Sequence, residues 1–376
     1  MDKPHVPPNG LHRSPWRCRA PWKIIGGCSK TGNEASLYRG SPCSIKSGRE
    51  CLDYGPVGHR RAGRRGMPEC YGSNLTMEGA VECDAAIMDG KTGDFASVGA
   101  VSGVKNPIML ANAILEHSRE PDLLGRIRPM TLVSSGAHSF ATKHGLQTVS
   151  PENMISPRAT DDWKKWMDRF NSQVEPESLP IPQDAMQDTV GAVAWDSDGN
   201  MAAGVSSGGL LLKYSGRVGE QAATFGAGCW AQQSSDGRTG MACSISGAGE
   251  HIMRVGLARL IGAALQAEEG QCQDQKYVDV HEQLVKTLLD DFHDPTLARG
   301  DSHPNAGALL LTKEPQEEGH IMPRLWCTFT SESMAVSYAS SAKPLPKASI
   351  LRRPSIAHTT PSTKESPVYI TALPLH

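Results

Sequence analysis

The sequence predicts an α+β chain, and three observations predict it. Two strand-like stretches near the start of the globular part are followed by a proline-started helix. A glycine-rich block at residues 189–246 reads as strands folded about one tight turn. That block gives way to helical stripes and then to further strands. Runs of strands followed by runs of helices, without strict βαβ repetition, are the α+β pattern.

The elements follow in chain order. Residues 1–66 hold thirteen Lys and Arg against four acids, with frequent Pro, Gly, Ser and Cys and no sustained periodicity, so a basic, disordered segment is expected there. Its run Arg60-Arg61-Ala62-Gly63-Arg64-Arg65 reads either as a nuclear-import or nucleic-acid patch or as a solvated tail. Residues 81–90 (VECDAAIMDG) form a strand that turns at Asp89-Gly90, and residues 95–104 form a second. Asn106-Pro107 reads as a helix cap with proline at the first helical position, opening a helix over 108–117. A strand at 130–134 and a short helix at 138–144 close this half, the 67–147 part of the domain.

Residues 148–188 are proline- and acid-rich and are expected to be a mobile linker. Within them Thr160-Asp161-Asp162 is read as the cap of a short helix carrying Trp163, Trp166, Met167 and Phe170 on one face. After the 189–246 strands a long helix is expected over 250–268, a second over 278–292, and strands at 307–312 and 324–330. The second part of the domain runs to 341, and residues 342–376 are expected to be disordered.

Composition narrows the function classes. A formal charge of −2 leaves no strong field for nucleic acid or membrane, and neither is an expected partner. No apolar stretch approaches the roughly 18–20 residues that span a bilayer. The ten cysteines are scattered without C-x-x-C or paired Cys/His spacing, so no metal or other cofactor is expected. With no secretory signal they read as reduced thiols of the cytoplasm or nucleus, Cys229 and Cys243 as core fillers.

The block Asp188 to Glu250 carries the chemistry. Asp196-Ser197-Asp198-Gly199-Asn200 is hairpin-turn chemistry, and a five-residue loop pairs Trp195 with Met201 and sets Thr189 opposite Ser207. A two- or four-residue loop would set Ser207 opposite Val190 instead. Two hydroxyls on one face suit nucleophilic catalysis, although Thr189 also reads as a strand-starting β-branched residue and Ser207 as a turn serine.

Here the chain resembles the taspases (threonine aspartases), within the type 2 asparaginase family of N-terminal nucleophile hydrolases. The matching pieces are Gly72-Ser73-Asn74-Leu75 and residues 82–90, 99–107, 188–193, 205–209, 213–219, 226–231, 246–250 and 331–338. Gly228-Cys229-Trp230-Ala231 and Thr330-Ser331-Glu332-Ser333-Met334 look like taspase rather than general asparaginase. The resemblance implies a four-layer αββα sandwich cut between Asp188 and Thr189. The family's first strand, with its His-x-Gly-x-Gly motif, and its following helix have no match in residues 1–66, so they are expected to be missing or replaced.

The resemblance also implies roles. Thr189, once its amine is free, serves as nucleophile and base, because an α-amine with a pKa of about 7.7–8.0 takes the hydroxyl proton near neutrality. Ser207 orients that hydroxyl. Ser246 and Gly247 donate to the oxyanion, with an ordinary helix N-cap as the other reading of Ser246. Arg217 holds a substrate carboxylate, where a planar guanidinium suits two-pronged recognition, and Gly249 lines the same pocket. Glu220 stands where asparaginases bind a substrate α-amine and taspases lack an acid. The resemblance points first to an endopeptidase cutting nuclear transcription and chromatin regulators after aspartate; the alternatives are an asparaginase or isoaspartyl aminopeptidase and an inactive polypeptide-binding relative. Members of the family tend to pair as dimers of cleaved chains.

Overall fold

The computed structural model describes residues 23–25, 71–172, 188–267, 279–301, 304–315, 321–340, 343–353 and 367–375. The remainder of 1–66, and the Arg60–Arg65 run within it, lies outside the described residues. A strand, β1 (Lys23–Ile25), comes first, followed by β2 (Cys83–Asp89) and β3 (Phe95–Val101). The turn between the latter two is built on Asp89, whose carboxylate accepts from the amides of Lys91 and Thr92.

Helix α1 (Pro107–Ser118) starts as the sequence requires: Asn106 Oδ1 accepts from Met109 N, and Pro107 occupies the first turn, where its missing N–H costs nothing. Its apolar face (Ile108, Leu110, Ala111, Ile114) is fully buried, which is worth roughly 1.5–3 kcal/mol for each large side chain. Strand β4 (Thr131–Val133) and helix α2 (Ser134–Lys143) follow without a break, so α2 begins four residues before the sequence suggests.

Residues 151–171 correct the linker expectation. A 3-10 turn (Pro151–Met154) leads into α3 (Pro157–Asn171). The cap is Ser156 rather than Thr160, because Ser156 Oγ accepts from Ala159 N and Pro157 fixes the first turn. Trp163 packs with Met154, Leu75 and Val81 and donates to Thr76 O at 2.8 Å. Trp166 is buried under Arg169, whereas Phe170 faces out at 60% exposure and leaves the expected apolar stripe. The rest of the linker, 173–187, lies outside the described residues.

The second half opens with β5 (Thr189–Trp195) and β6 (Met201–Ser207), joined by the five-residue turn. Strands β7 (Cys229–Gln233) and β8 (Gly240–Gly247) lead to α4 (Gly249–Val255) and α5 (Leu257–Ala267). The one long helix expected here is broken at Gly256, whose φ of +61° closes the first helix in the left-handed conformation that glycine adopts without strain. Helix α6 (Val280–Lys286) is capped by Asp279 and continues as a π-helical turn (Thr287–His293) into α7 (Asp294–Ala298). Pro295, which cannot donate to the preceding turn, explains the widening.

Strands β9 (Ala306–Pro315), β10 (Ile321–Phe329), β11 (Ser333–Ala339), β12 (Lys347–Arg352) and β13 (Tyr369–Pro374) complete the fold. The last two correct the expected disorder of 342–376. Strand β12 pairs with β11 and β13 with β10, so non-local ladders order a stretch whose local composition reads as coil.

One sheet runs β4-β3-β2-β6-β5 and another β13-β10-β9-β8-β7, with a short sheet β1-β11-β12 beside them. The core between the layers joins Met88, Val193, Ala203 and Val205 of the first sheet to Leu309, Leu311, Leu325 and Phe329 of the second. Helices α1 and α2 cover the outer face of the first sheet, and α4–α6 cover that of the second. This is the expected αββα sandwich. Residues 23–25 pair with Ala339, Tyr338 and Ser337, so a strand from the unmatched front segment borders β11. Cys229, Cys243 and Cys327 are buried, and burial raises all three thiols, Cys327 to about 12.

Candidate active site

The hairpin register is the five-residue alternative: Trp195 faces Met201 and Thr189 faces Ser207. Both hydroxyls are buried and lie 3.0 Å apart. Ser207 Oγ also lies 2.6 Å from the carbonyl oxygen of Asp188 and receives the amide of Gly209 at 2.9 Å. A carbonyl accepts only, so the single proton of Ser207 goes to Asp188 O. The amide of Gly209 only donates, so Thr189 must supply its proton to Ser207. The hydroxyls therefore point one way, Thr189 to Ser207 to the carbonyl of the peptide bond that joins Asp188 to Thr189. The amide of Gly208 donates to the same carbonyl oxygen at 3.0 Å.

Gln221 links this pair to the second group of expected residues. Its Nε2 donates to Thr189 Oγ1 at 3.3 Å and to Glu220 Oε1 at 2.5 Å. Glu220 is buried, and burial drives its carboxyl up to about 8, against a smaller opposing effect of Arg217. Its other oxygen fills the space that a side chain on Gly249 would take, and Arg217 Nη2 borders the same space at 2.9 Å. Gly249 is thus glycine because the Glu220 carboxyl and the Arg217 guanidinium converge on it. Arg217 itself is held by Glu250 in a two-pronged pair at 2.8 and 2.7 Å. The partner expected for this guanidinium is the carboxylate of a substrate, and Glu250 takes that place here. The chain's own Asp188 carboxylate lies near Gly208, where a Cβ would come within 2.6 Å of its Oδ2 and 2.5 Å of Ser73 Cβ.

Ser246 and Gly247 end β8. Ser246 borders a small cavity with Gly191, Gly307 and Met334, and Gly191 lies two residues along β5 from Thr189. The N-cap of α4 is Ala248, which rules out Ser246 as the cap. Ser246 Oγ is buried and has no hydrogen-bond partner among the described residues, as has Gln221 Oε1. Gly247 sits with its back against the backbone of Asn305 and Ala306, with φ +157°. Thr189, Ser207, Asp188, Glu220, Arg217 and Gly249 are therefore connected through Gln221. Ser246 faces β5 at Gly191 across the small cavity, whereas Gly247 is placed only against Asn305 and Ala306.

Two further residues escaped the sequence reading. Asp84, opposite Ser207 in the β2–β6 ladder, is fully buried and accepts from Ala100 N at 2.7 Å and Gly219 N at 2.8 Å. Ala100 has a φ of +47°, an uncommon value for a residue with a Cβ. Burial raises the Asp84 carboxyl, and the charge of Lys213 pulls it back. By holding Gly219, Asp84 fixes the loop that carries Arg217 and Glu220. Lys213 is the second: it is buried and donates to Glu82 O at 2.5 Å and Gly208 O at 3.1 Å. A carboxylate within a buried strand and a lysine after an apolar run were the available signals. Among the described residues no cluster of three or more His, Cys, Asp or Glu could hold a metal ion.

The chain is 38% identical over 191 residues to an isoaspartyl peptidase/L-asparaginase of Danio rerio, covering 50% of this chain and 54% of that protein. It is 36% identical over 205 residues to the protein of that name from Rattus norvegicus, covering 54% and 55%. It is 32% identical over 194 residues to an isoaspartyl peptidase of Escherichia coli (strain K12), covering 52% and 56%. The chain spans about half the length of the curated relatives it matches. The family model Asparaginase_2, described as asparaginase, matches residues 68–287, more than half of the chain. With that match and the αββα architecture together, the protein belongs to the type 2 asparaginase family of N-terminal nucleophile hydrolases.

Proposed function

We propose that the chain cuts itself before Thr189 and that the exposed threonine hydrolyses amides of the aspartate side chain, in isoaspartyl peptides or asparagine. One observation carries the reading: the hydroxyl of Thr189 is aimed through Ser207 at the carbonyl oxygen of its own preceding peptide bond. In the uncut chain Thr189 Oγ attacks the Asp188 carbonyl carbon. Its proton passes to Ser207 while the Ser207 proton passes to the developing oxyanion, which Gly208 N–H also holds. The C–N bond then breaks as the carbonyl re-forms, the proton of the adduct's hydroxyl passing to the nitrogen, which leaves as a free amine; water then hydrolyses the resulting ester. Afterwards that amine is the base for the hydroxyl beside it, help that typically contributes ~10²–10⁴-fold.

Arg217 and Glu220, meeting at Gly249, would take the α-carboxylate and α-ammonium of an aspartyl unit. The acid is protonated in the empty site near neutrality and would pass its proton to solvent when an ammonium arrives. Ser246 Oγ and the amide of Gly247 would hold the oxyanion of the substrate. The names of the relatives support this substrate class. A second reading, an endopeptidase cutting nuclear proteins after aspartate, is favoured by Asp188 itself and by the taspase-like pieces around Cys229 and Ser331.

Incubating the purified precursor and resolving it on a denaturing gel tests the first half: two fragments, the smaller beginning at Thr189, are expected. A single uncut band would overturn it and leave a binding protein. Comparing an isoaspartyl dipeptide with a peptide containing Gln-Asp-Thr tests the second half. Faster cleavage of the peptide would replace the proposed substrate class with the second reading.

A further inference from the structure

Buried lysines are uncommon because an ammonium loses its water shell on burial, so a lysine sealed beside the scissile bond needs a reason. Lys213 is 5% exposed and no carboxylate lies within ion-pair distance of it among the described residues. Its Nζ donates instead to two backbone carbonyls, those of Glu82 and Gly208. The second is the informative one. The Gly208 carbonyl belongs to the peptide group whose N–H, on Gly209, donates to Ser207 Oγ. The preceding N–H, on Gly208, donates to the Asp188 carbonyl. One cation thus grips the peptide segment that supplies both donors of the maturation step. A cation on a carbonyl draws electron density from the amide and strengthens the N–H on the same peptide group as a donor. That makes the Ser207 hydroxyl a stronger acid toward the scissile carbonyl.

We infer that Lys213 is a positioning residue for self-cleavage, acting through the Gly208–Gly209 peptide on Ser207. It touches none of the reacting atoms. The proton path remains Thr189 to Ser207 to Asp188 O, and Lys213 neither gives nor takes a proton. Gly209 leaves room for it, since a Cβ there would lie 2.8 Å from Nζ. Asp84 completes the setting as the nearby buried acid that feels its charge.

The inference rests on the self-cleavage reading, and the test separates the two. Lys213→Gln keeps a donor for the carbonyls but removes the charge, whereas Lys213→Arg keeps both. Precursors are purified uncut at low temperature, checked for folding by circular dichroism, and followed on denaturing gels. Lys213→Gln is expected to mature about ten- to a hundredfold more slowly, the equivalent of one hydrogen bond to a charged group, and Lys213→Arg within a fewfold of the unsubstituted chain. The deciding measurement is a double-mutant cycle with Ser207→Ala, in which the Gln substitution should lose most of its effect. If the unsubstituted chain is never cut, the reading of self-cleavage fails. If it is cut and Lys213→Gln matures at the same rate, or slows maturation equally with and without Ser207, then Lys213 is a structural lysine and this inference is wrong. Should Lys213→Gln fail to fold, an Arg variant that folds but matures as slowly as Ser207→Ala also overturns it.

Discussion

Two serines end strands in the facing sheets, and they differ in every contact. Ser207 has its one proton and both lone pairs engaged, by Asp188, Gly209 and Thr189. Ser246 is equally buried and its hydroxyl has no partner among the described residues. A buried hydroxyl left unpaired costs about 1–3 kcal/mol. Such a group is open to a partner from outside the chain. On the proposed reading, then, the Ser207 side of the site is built for the protein's own peptide bond and the Ser246 side for a substrate.

Substituting each serine in turn is the sharpest way to break that contrast. Ser207→Ala should slow self-cleavage by roughly 10²–10³, the usual effect of losing one such donor, read as persistence of the uncut band. Ser246→Ala should act chiefly on turnover by the matured enzyme, by a similar roughly 10²–10³. Equal effects of both substitutions on maturation would erase the distinction. Arg217 offers a milder probe, because its two-pronged grip on Glu250 shows the geometry it would use on a substrate carboxylate. Arg217→Lys keeps the charge but loses the fork, and should raise KM about tenfold while leaving the rate of maturation far less affected. A larger effect on maturation than on KM would move Arg217 to the other side of the comparison.

The last probe concerns pH. The Glu220 carboxyl lies at about 8 in the fold against an ordinary 4.5, so the folded state holds a proton that the unfolded chain releases. Its contribution to stability is complete below pH 4.5 and is lost as the pH rises toward 8, at up to about 1.4 kcal/mol per pH unit. Asp84 adds a slope of the same sign. Urea unfolding of uncut Thr189→Ala protein between pH 5 and 8 should therefore show falling stability, and Glu220→Gln should flatten it. Unchanged steepness in the Gln variant would mean that Glu220 is ionised in the fold.

Local chemistry was legible in the sequence, and long-range pairing was not. The odd count of turn residues from Asp196 to Asn200 fixed which residue faces Thr189, and Asn106-Pro107 announced its helix. The break at Gly256 was missed because a lone glycine within an apolar stripe also fits an unbroken helix. Strands β12 and β13 were missed because only their ladders to β11 and β10, not their composition, make them strands. Thr189, Ser207 and Arg217 could be marked from the resemblance, yet Glu250 as the partner of Arg217 and Gln221 as the bridge could not. Those contacts depend on how loop 217–221 folds back, which is decided by an aspartate more than 130 positions earlier.

If the chain is cut before Thr189, as proposed, the place of that bond in the first sheet has a mechanical consequence. Among the described residues, strand β5 is the outermost of its sheet and is hydrogen-bonded to a neighbouring strand on one side only. Severing the backbone ahead of it ruptures no interior ladder. The next strand inward, β6, belongs to the downstream fragment and is laced to β2 of the upstream fragment through six facing pairs, from Asp84 and Ser207 to Asp89 and Ala202. The two pieces therefore share one continuous sheet. They would stay clasped without a covalent tie, and prising them apart would mean splitting the first sheet between β2 and β6.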